Sequence, residues 1–291
     1  HNYHLINEGI LTKRDYTLLF EGPTGKKYIP IETTDSLYVY SNIIFSGNFF
    51  EFVNKKGLNV ALIDKYGEKI GSFVPQNNRR NIKTEIKQLK VYDNENERLE
   101  LAKKLEIASV SNIRANLKYY ARRKNSERLQ DAVIGISRLI QQLNEAKDVT
   151  KLMTIEAQSR QKYYQCFNEI LNDEDFIFEK RTRRPPEDPL NAMISFGNTL
   201  LYQRIANEIN RTSLDIRIGI VHAAGSRPES LNLDLADLFK PILVDRTIFT
   251  LVNRKMLEAT DFVEVEKNGI YLSREGKKQF IREFERKLFQ K

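Results

Sequence analysis

Gly219-Ile-Val-His222 holds the only histidine beyond the first four residues, and Asp234 and Asp237 follow it. Side chains three apart share a helix face, so both acids can point at one spot. A neutral imidazole beside carboxylates is a mixed nitrogen and oxygen set. It suits a divalent ion that keeps water or phosphate in its shell. Lys240, three residues past Asp237, would sit on the same face, close to any negative charge that builds there. The chain carries 47 Lys and Arg against 39 Asp and Glu, with an isoelectric point near 9.3. An ion site in a basic chain points to metal-assisted chemistry on a nucleic-acid phosphodiester. Two acids and one histidine leave an ion short of protein ligands. A carboxylate from another helix would complete the set. The best candidate is Glu156, flanked by Ile155 and Ala157, although spacing alone does not separate it from the other glutamates. Taken alone, His222 also suits a hydrogen-bonded core position, and the two aspartates suit the first turn of a helix.

The elements that would carry these residues change character near residue 80. Before it, short β-type runs at Tyr16–Phe20, Lys27–Ile31, Ser36–Tyr40, Asn59–Ile63 and Lys69–Val74 alternate with turn residues. One short helix, 48–57, stops at Gly57. The polar stretch 75–81 reads as a linker, after which the period switches towards 3.6. Helices are expected near 83–93, 96–107, 108–122, 126–146, 150–171, 189–211, 230–255 and 274–288. A hairpin over 261–272 would turn on Asn268-Gly269. The fold class is therefore α+β: a small β-rich domain over 1–80 and a larger, mainly α-helical catalytic domain over 81–291.

Composition narrows the function. No run approaches the roughly 20 apolar residues of a membrane span. The single cysteine, Cys166, excludes an intrachain disulfide framework and a cysteine-rich zinc site, and fits a cytoplasmic protein. Lys118-Tyr-Tyr-Ala-Arg-Arg-Lys124 interleaves cations with aromatics, which can stack bases and hold phosphates through Arg122 and Arg123. A solvated face over packed tyrosines fits that pattern equally well. Lys180–Arg184 reads as an exposed charge run.

Several spaced blocks resemble the CRISPR-associated adaptation integrase family, the endonuclease-like subunit that inserts new spacers. They are Tyr28–Ile31, Asp35–Val39, Ile70–Phe73, Asn112 with Arg114, Glu156 with Tyr163 and Tyr164, Asp188–Asn191, Leu200–Tyr202, Gly219–His222, Ser230–Asp237, Phe239–Pro241 and Val244–Arg246. Ala157 and Asp237 depart from the glycine and glutamate that the family often has there. Neither change removes a ligand. The resemblance implies magnesium or manganese held by Glu156, His222 and Asp237, with Asp234 assisting and Lys240 near the reacting phosphate. Arg114, Tyr163, Tyr202 and Arg246 are candidate DNA contacts beside these blocks, and a place in the core suits Tyr163 equally well. The resemblance also implies a prokaryotic homodimer joined through the β-domain, a small dimeric adaptation partner, and double-stranded DNA, both spacer precursor and CRISPR repeat, as substrate. The chemistry would be transesterification by a DNA 3′-hydroxyl. A hydrolytic nuclease and a non-catalytic DNA-binding scaffold are the alternatives.

Overall fold

The computed structural model describes residues 1–76, 81–222, 228–265 and 269–290. Parts of the expected linker and of the segment after His222 lie outside the described residues, as does Asn268 of the expected hairpin turn. The chain divides into two compact units, His1–Arg79 and Arg80–Lys291.

The first unit is built on two four-stranded sheets. Strands β1 (Asn2–Leu5), β5 (Ser36–Val39) and β7 (Asn59–Ile63) run parallel, and β8 (Lys69–Phe73) closes that sheet antiparallel. Every residue of β5 is buried, as a central parallel strand requires. The second sheet orders β4 (Gly25–Ile29), β3 (Thr17–Gly22), β2 (Gly9–Arg14) and β6 (Ile43–Phe45). Leu11, Leu18, Phe20, Ile29, Leu37, Val39 and Val60 fill the core with Phe49 and Val53 of helix α1 (Phe49–Lys56). Gly57 ends α1 at φ 68°, where a side chain would be strained. Strands β1, β2 and β6 carry no clear sequence signal and were not expected.

The second unit is helical: α2 (Ile82–Asp93), α3 (Glu95–Lys124), α4 (Glu127–Glu145), α5 (Val149–Tyr164), α6 (Phe167–Leu171), α7 (Pro189–Asn210), α8 (Leu231–Phe239), α9 (Arg246–Asn253) and α10 (Arg274–Leu288). A two-stranded ribbon, β9 (Phe262–Val265) with β10 (Gly269–Leu272), lies before α10. The side chains of Asn94, Ser126, Asp148, Asp188 and Ser273 each accept an amide N–H from the first turn of the helix they precede. Among the described residues no helix is long and apolar enough to cross a membrane.

Three stretches of helix differ from expectation. The two expected over 96–122 are one, because no glycine or proline interrupts α3 and its buried face continues through Ala102, Ser109, Ile113, Leu117 and Tyr120. The helix expected over 150–171 breaks after Tyr164 and restarts at Phe167. The one expected over 230–255 is split by a π-helical segment, Lys240–Asp245. Pro241 has no N–H, so the carbonyl of Asp237 loses its α-helical donor. Helix α3 supplies replacements along this junction. Ser109 Oγ donates to the Asp237 carbonyl at 2.9 Å, Asn112 Nδ2 to that of Leu238 at 2.8 Å, and Asn116 Nδ2 to that of Pro241 at 2.7 Å.

Candidate metal and phosphoryl-transfer site

His222 ends a turn that Asp234 holds from beneath. The Asp234 carboxylate, wholly buried at 0% side-chain exposure, accepts the backbone N–H of Ile220 at 2.5 Å, Val221 at 3.0 Å and His222 at 2.9 Å. It also stands 2.6 Å from His222 Nδ1. Gly219 makes the approach possible, since a Cβ there would lie 3.0 Å from Asp234 Oδ2 and 2.8 Å from the His222 carbonyl. Arg98 Nε donates to the Ile220 carbonyl at 2.8 Å, and Gln88 Nε2 to those of Asp215 and Ile218, tying α3 and α2 to the same turn. With its Nδ1–H on a carboxylate, His222 keeps the Nε2 lone pair for a ligand. The Asp234 hydrogen bond is the main reason the imidazole pKa lies above its ordinary 6.5, with burial working against it.

Asp234 and Asp237 share a face but do different things. Asp237 turns to two cations: Lys240 Nζ at 2.6 Å and Arg160 Nη2 at 3.5 Å. Arg160 Nε also donates to Glu156 Oε1 at 2.7 Å, one turn away on α5. Arg160 thus draws the glutamate of α5 and the aspartate of α8 together. Burial opposes charge on Asp237, but Lys240, Arg160 and His222 outweigh it and hold the carboxyl below the usual carboxylate range. Lys240 Nζ lies 4.9 Å from the ring centroid of Tyr202. The structure therefore places Glu156, Asp237 and Lys240 at one centre, with His222 near enough to act on Asp237. Asp234 stands behind, as a support for the histidine.

Sequence reasoning missed three residues. Arg160 was legible as the i+4 partner of Glu156. Glu106 sits in the apolar stripe of α3 and is only 3% exposed. Burial, then the charges of Glu156 and Asp237, push its pKa to about 9. Asp245 is buried next to Tyr163, and burial raises its pKa to about 7.

The expected DNA contacts scatter. Arg122 and Arg123 are exposed at the end of α3, and Arg123 Nη1 donates to Tyr119 Oη at 2.9 Å. Arg246 is exposed and donates Nε to Asn116 Oδ1 at 2.7 Å. Arg114 is half-buried beside Ser137, and Tyr202 half-buried under Lys240. Tyr163 is a correction: it is fully buried, bonded to Asn116 and packed edge-on to Phe167, so it faces the core and not DNA. The Lys180–Arg184 run is corrected in part, because Arg181 turns inward to Asn191 and Ser195.

Among the described residues no group of three His, Cys, Asp or Glu side chains is spaced to hold a metal ion. Arg160 and Lys240 occupy the carboxylates instead. The donor set still fits a divalent ion. Two carboxylates are held only by cations that an ion would replace, and Glu106 Oε2 and Arg160 Nη2 are buried without a hydrogen-bond partner.

The chain thus follows a β-rich unit with a helical unit in which two acids, a lysine and an arginine meet close to a clamped histidine. The profile of the CRISPR-associated protein Cas1 family matches residues 3–286. The chain is 36% identical to CRISPR-associated endonuclease Cas1 2 of Thermodesulfovibrio yellowstonii over 98% of its own length and 86% of that protein. It is also 36% identical to CRISPR-associated endonuclease Cas1 of Haloferax volcanii, over 99% and 86%. The structure of a Cas1 protein from Thermotoga maritima superposes with a TM-score of 0.89 at 34% identity, covering 99% of this chain and 90% of that one. The chain belongs to the Cas1 family.

Proposed function

We propose that this chain is a divalent-ion-dependent DNA integrase of CRISPR adaptation, which joins the 3′-hydroxyl ends of spacer DNA to the CRISPR repeat. The observation that supports it is the convergence of Glu156 and Asp237 on Arg160, with His222 beside them, in a chain that matches the Cas1 family almost end to end. Glu156, Asp237 and His222 Nε2 would hold magnesium or manganese. The ion would supply a Lewis acid for the scissile phosphate and favour the ionised form of an attacking hydroxyl.

The protein's own groups do the positioning. Asp234 fixes the tautomer and direction of His222 through its contacts to the ring and to three backbone amides. Lys240, held against Tyr202, neutralises negative charge that builds on the phosphate oxygens. Arg160, once released from the carboxylates, adds a second cation at the same place. The incoming 3′-oxygen forms a new ester bond to phosphorus as the bond to the outgoing 3′-oxygen breaks, and that oxygen takes up the proton. The exposed Arg122, Arg123 and Arg246 suit contacts with the DNA backbone. The β-rich unit would join two copies as a homodimer, and a small dimeric adaptation partner would bridge two homodimers in the prokaryotic cytoplasm.

The test incubates labelled duplex DNA bearing free 3′-hydroxyls with a supercoiled repeat-bearing plasmid, the adaptation partner, and Mg²⁺ or Mn²⁺, with and without EDTA. Joining that needs the ion and vanishes in His222→Ala is the expected result. Joining that survives in His222→Ala or Glu156→Ala sinks the assignment. Cutting without joining would put a hydrolytic nuclease in its place, and DNA binding alone a scaffold.

A further inference from the structure

Glu106 is the acid that the chemistry above does not use. It lies in the buried stripe of α3 with Ala102, Val110, Ile113 and Leu117, where a leucine would serve the packing. Its Oε2 is buried with no hydrogen-bond partner among the described residues. One turn further along α3, Ser109 Oγ donates to the carbonyl of Asp237, so this face of the helix lies against the ligand-bearing end of α8. Helix α3 packs against both α5 and α8, the helices that carry Glu156 and Asp237, and the charges of those two acids act on Glu106. Arg160 Nη2 makes no hydrogen bond either, but it faces Asp237 Oδ1 at 3.5 Å. The cations of this centre are thus drawn to Glu156 and Asp237, and the buried Glu106 Oε2 is left without a partner. Buried polar atoms in native proteins are rarely left so, and an ion that belongs there is one of the few physical reasons.

We propose that Glu106 is a fourth protein ligand of the divalent ion held by Glu156, His222 and Asp237, an inference that rests on the ligand set assigned above. Without the ion, Arg160 neutralises Glu156 and Asp237 and leaves Glu106 unpaired. With an ion there, Arg160 would withdraw and Glu106 would serve as a ligand in place of a water. Three of the four protein ligands would be carboxylates, the hard donors that magnesium and manganese take.

Mn²⁺ is the probe. Calorimetry gives its Kd, and water-proton relaxation of the Mn²⁺-bound protein gives the number of waters on the ion. Glu106→Gln keeps the side-chain shape. It is expected to weaken binding by about tenfold or more, in the range seen when a metal-site group is lost, and to add one water per ion. Glu106→Leu completes the apolar stripe. It is expected to raise the thermal midpoint in EDTA while weakening Mn²⁺, so that stability and ion affinity move in opposite directions. A purely structural role would move them together. Parent-like Kd and water number in both variants overturn the inference, provided His222→Ala abolishes binding. If Mn²⁺ binds the parent and His222→Ala alike, or does not bind the parent, the ligand assignment falls and Glu106 with it.

Discussion

Replacing Asp234 by asparagine tests the support of His222 with almost no change of volume. The carboxylate serves four donors, two on each oxygen: Ile220 and Val221 on Oδ2, the His222 amide and Nδ1 on Oδ1. An amide keeps one acceptor oxygen, so either Ile220 and Val221 lose their partner or, with the NH₂ towards the ring, the His222 amide alone does. A buried donor left unsatisfied costs about 1–3 kcal/mol, which makes roughly 1–6 kcal/mol for the two orientations. At about 2–4 °C per kcal/mol for a unit of this size, the thermal midpoint should fall by at least roughly 2 °C. The chemical effect is separate. If the new NH₂ faces the ring it donates to Nδ1, the proton moves to Nε2, and the ligand lone pair disappears. Joining should then fall about 10–100-fold, the usual loss when a group that orients a metal ligand is changed. Calorimetric unfolding in EDTA and the plasmid-joining assay read the two effects independently. An Asp234→Asn protein with the parent midpoint and the parent joining rate would refute the reasoning.

Other perturbations give further outcomes. Arg160→Met removes the cation shared by Glu156 and Asp237, so the protein should lose stability in EDTA yet gain a larger rise in thermal midpoint from added Mn²⁺. Equal Mn²⁺ stabilisation in parent and variant would contradict this. The pKa of Glu106 is raised from 4.5 to about 9, so the folded state holds its proton more tightly than the unfolded chain. The stability this confers is complete below about pH 4.5 and is lost as pH rises through about 9, at up to about 1.4 kcal/mol per pH unit. Glu106→Gln should therefore flatten the fall in urea midpoint between those values, and an unchanged profile would count against it. Binding of duplex DNA should weaken steeply with salt, and Arg122→Ala with Arg123→Ala should lower the slope of log K against log salt by about one per lost phosphate contact. A slope that does not move would place the DNA elsewhere.

How much of this was legible follows from what sequence patterns encode. The switch from period 2 to period 3.6 near residue 80 located both kinds of structure, because burial on one face is a local pattern. Strands such as β6, with only Ile43–Phe45, are too short to carry that pattern and form only when β2 offers an edge. The π-helical segment was illegible for a related reason. Pro241 signals a break, but the three donors that make the bend tolerable come from α3, more than a hundred residues earlier. At the site, His222, Asp234 and Asp237 were found by type and spacing, whereas Glu156 needed the family pattern. Their division of labour followed from the resemblance, which makes Asp237 a ligand and Asp234 an assisting acid, and not from spacing. Three residues apart the two acids look equivalent, and the turn ending at His222 shows how Asp234 assists, as a clamp on the histidine. Tyr163 shows the reverse limit: an aromatic beside cations suits DNA and the core equally until the helix places it in the core.

The π-helical segment between α8 and α9 has a consequence for how this chain can vary. A π-turn takes up about one residue more than an α-turn, and one helical residue is worth a rotation of about 100°. Upstream, α8 aims Asp234 and Asp237 inward. Downstream, α9 buries Ile248, Phe249, Leu251 and Val252, while Asn116 holds Arg246 at the surface. Deleting one residue from Lys240–Asp245 would remove the extra residue of the π-turn and turn one of these two faces away from its partner. This stretch should therefore keep its length through descent while its residue types drift, and an alignment of relatives should show substitutions here but no gaps.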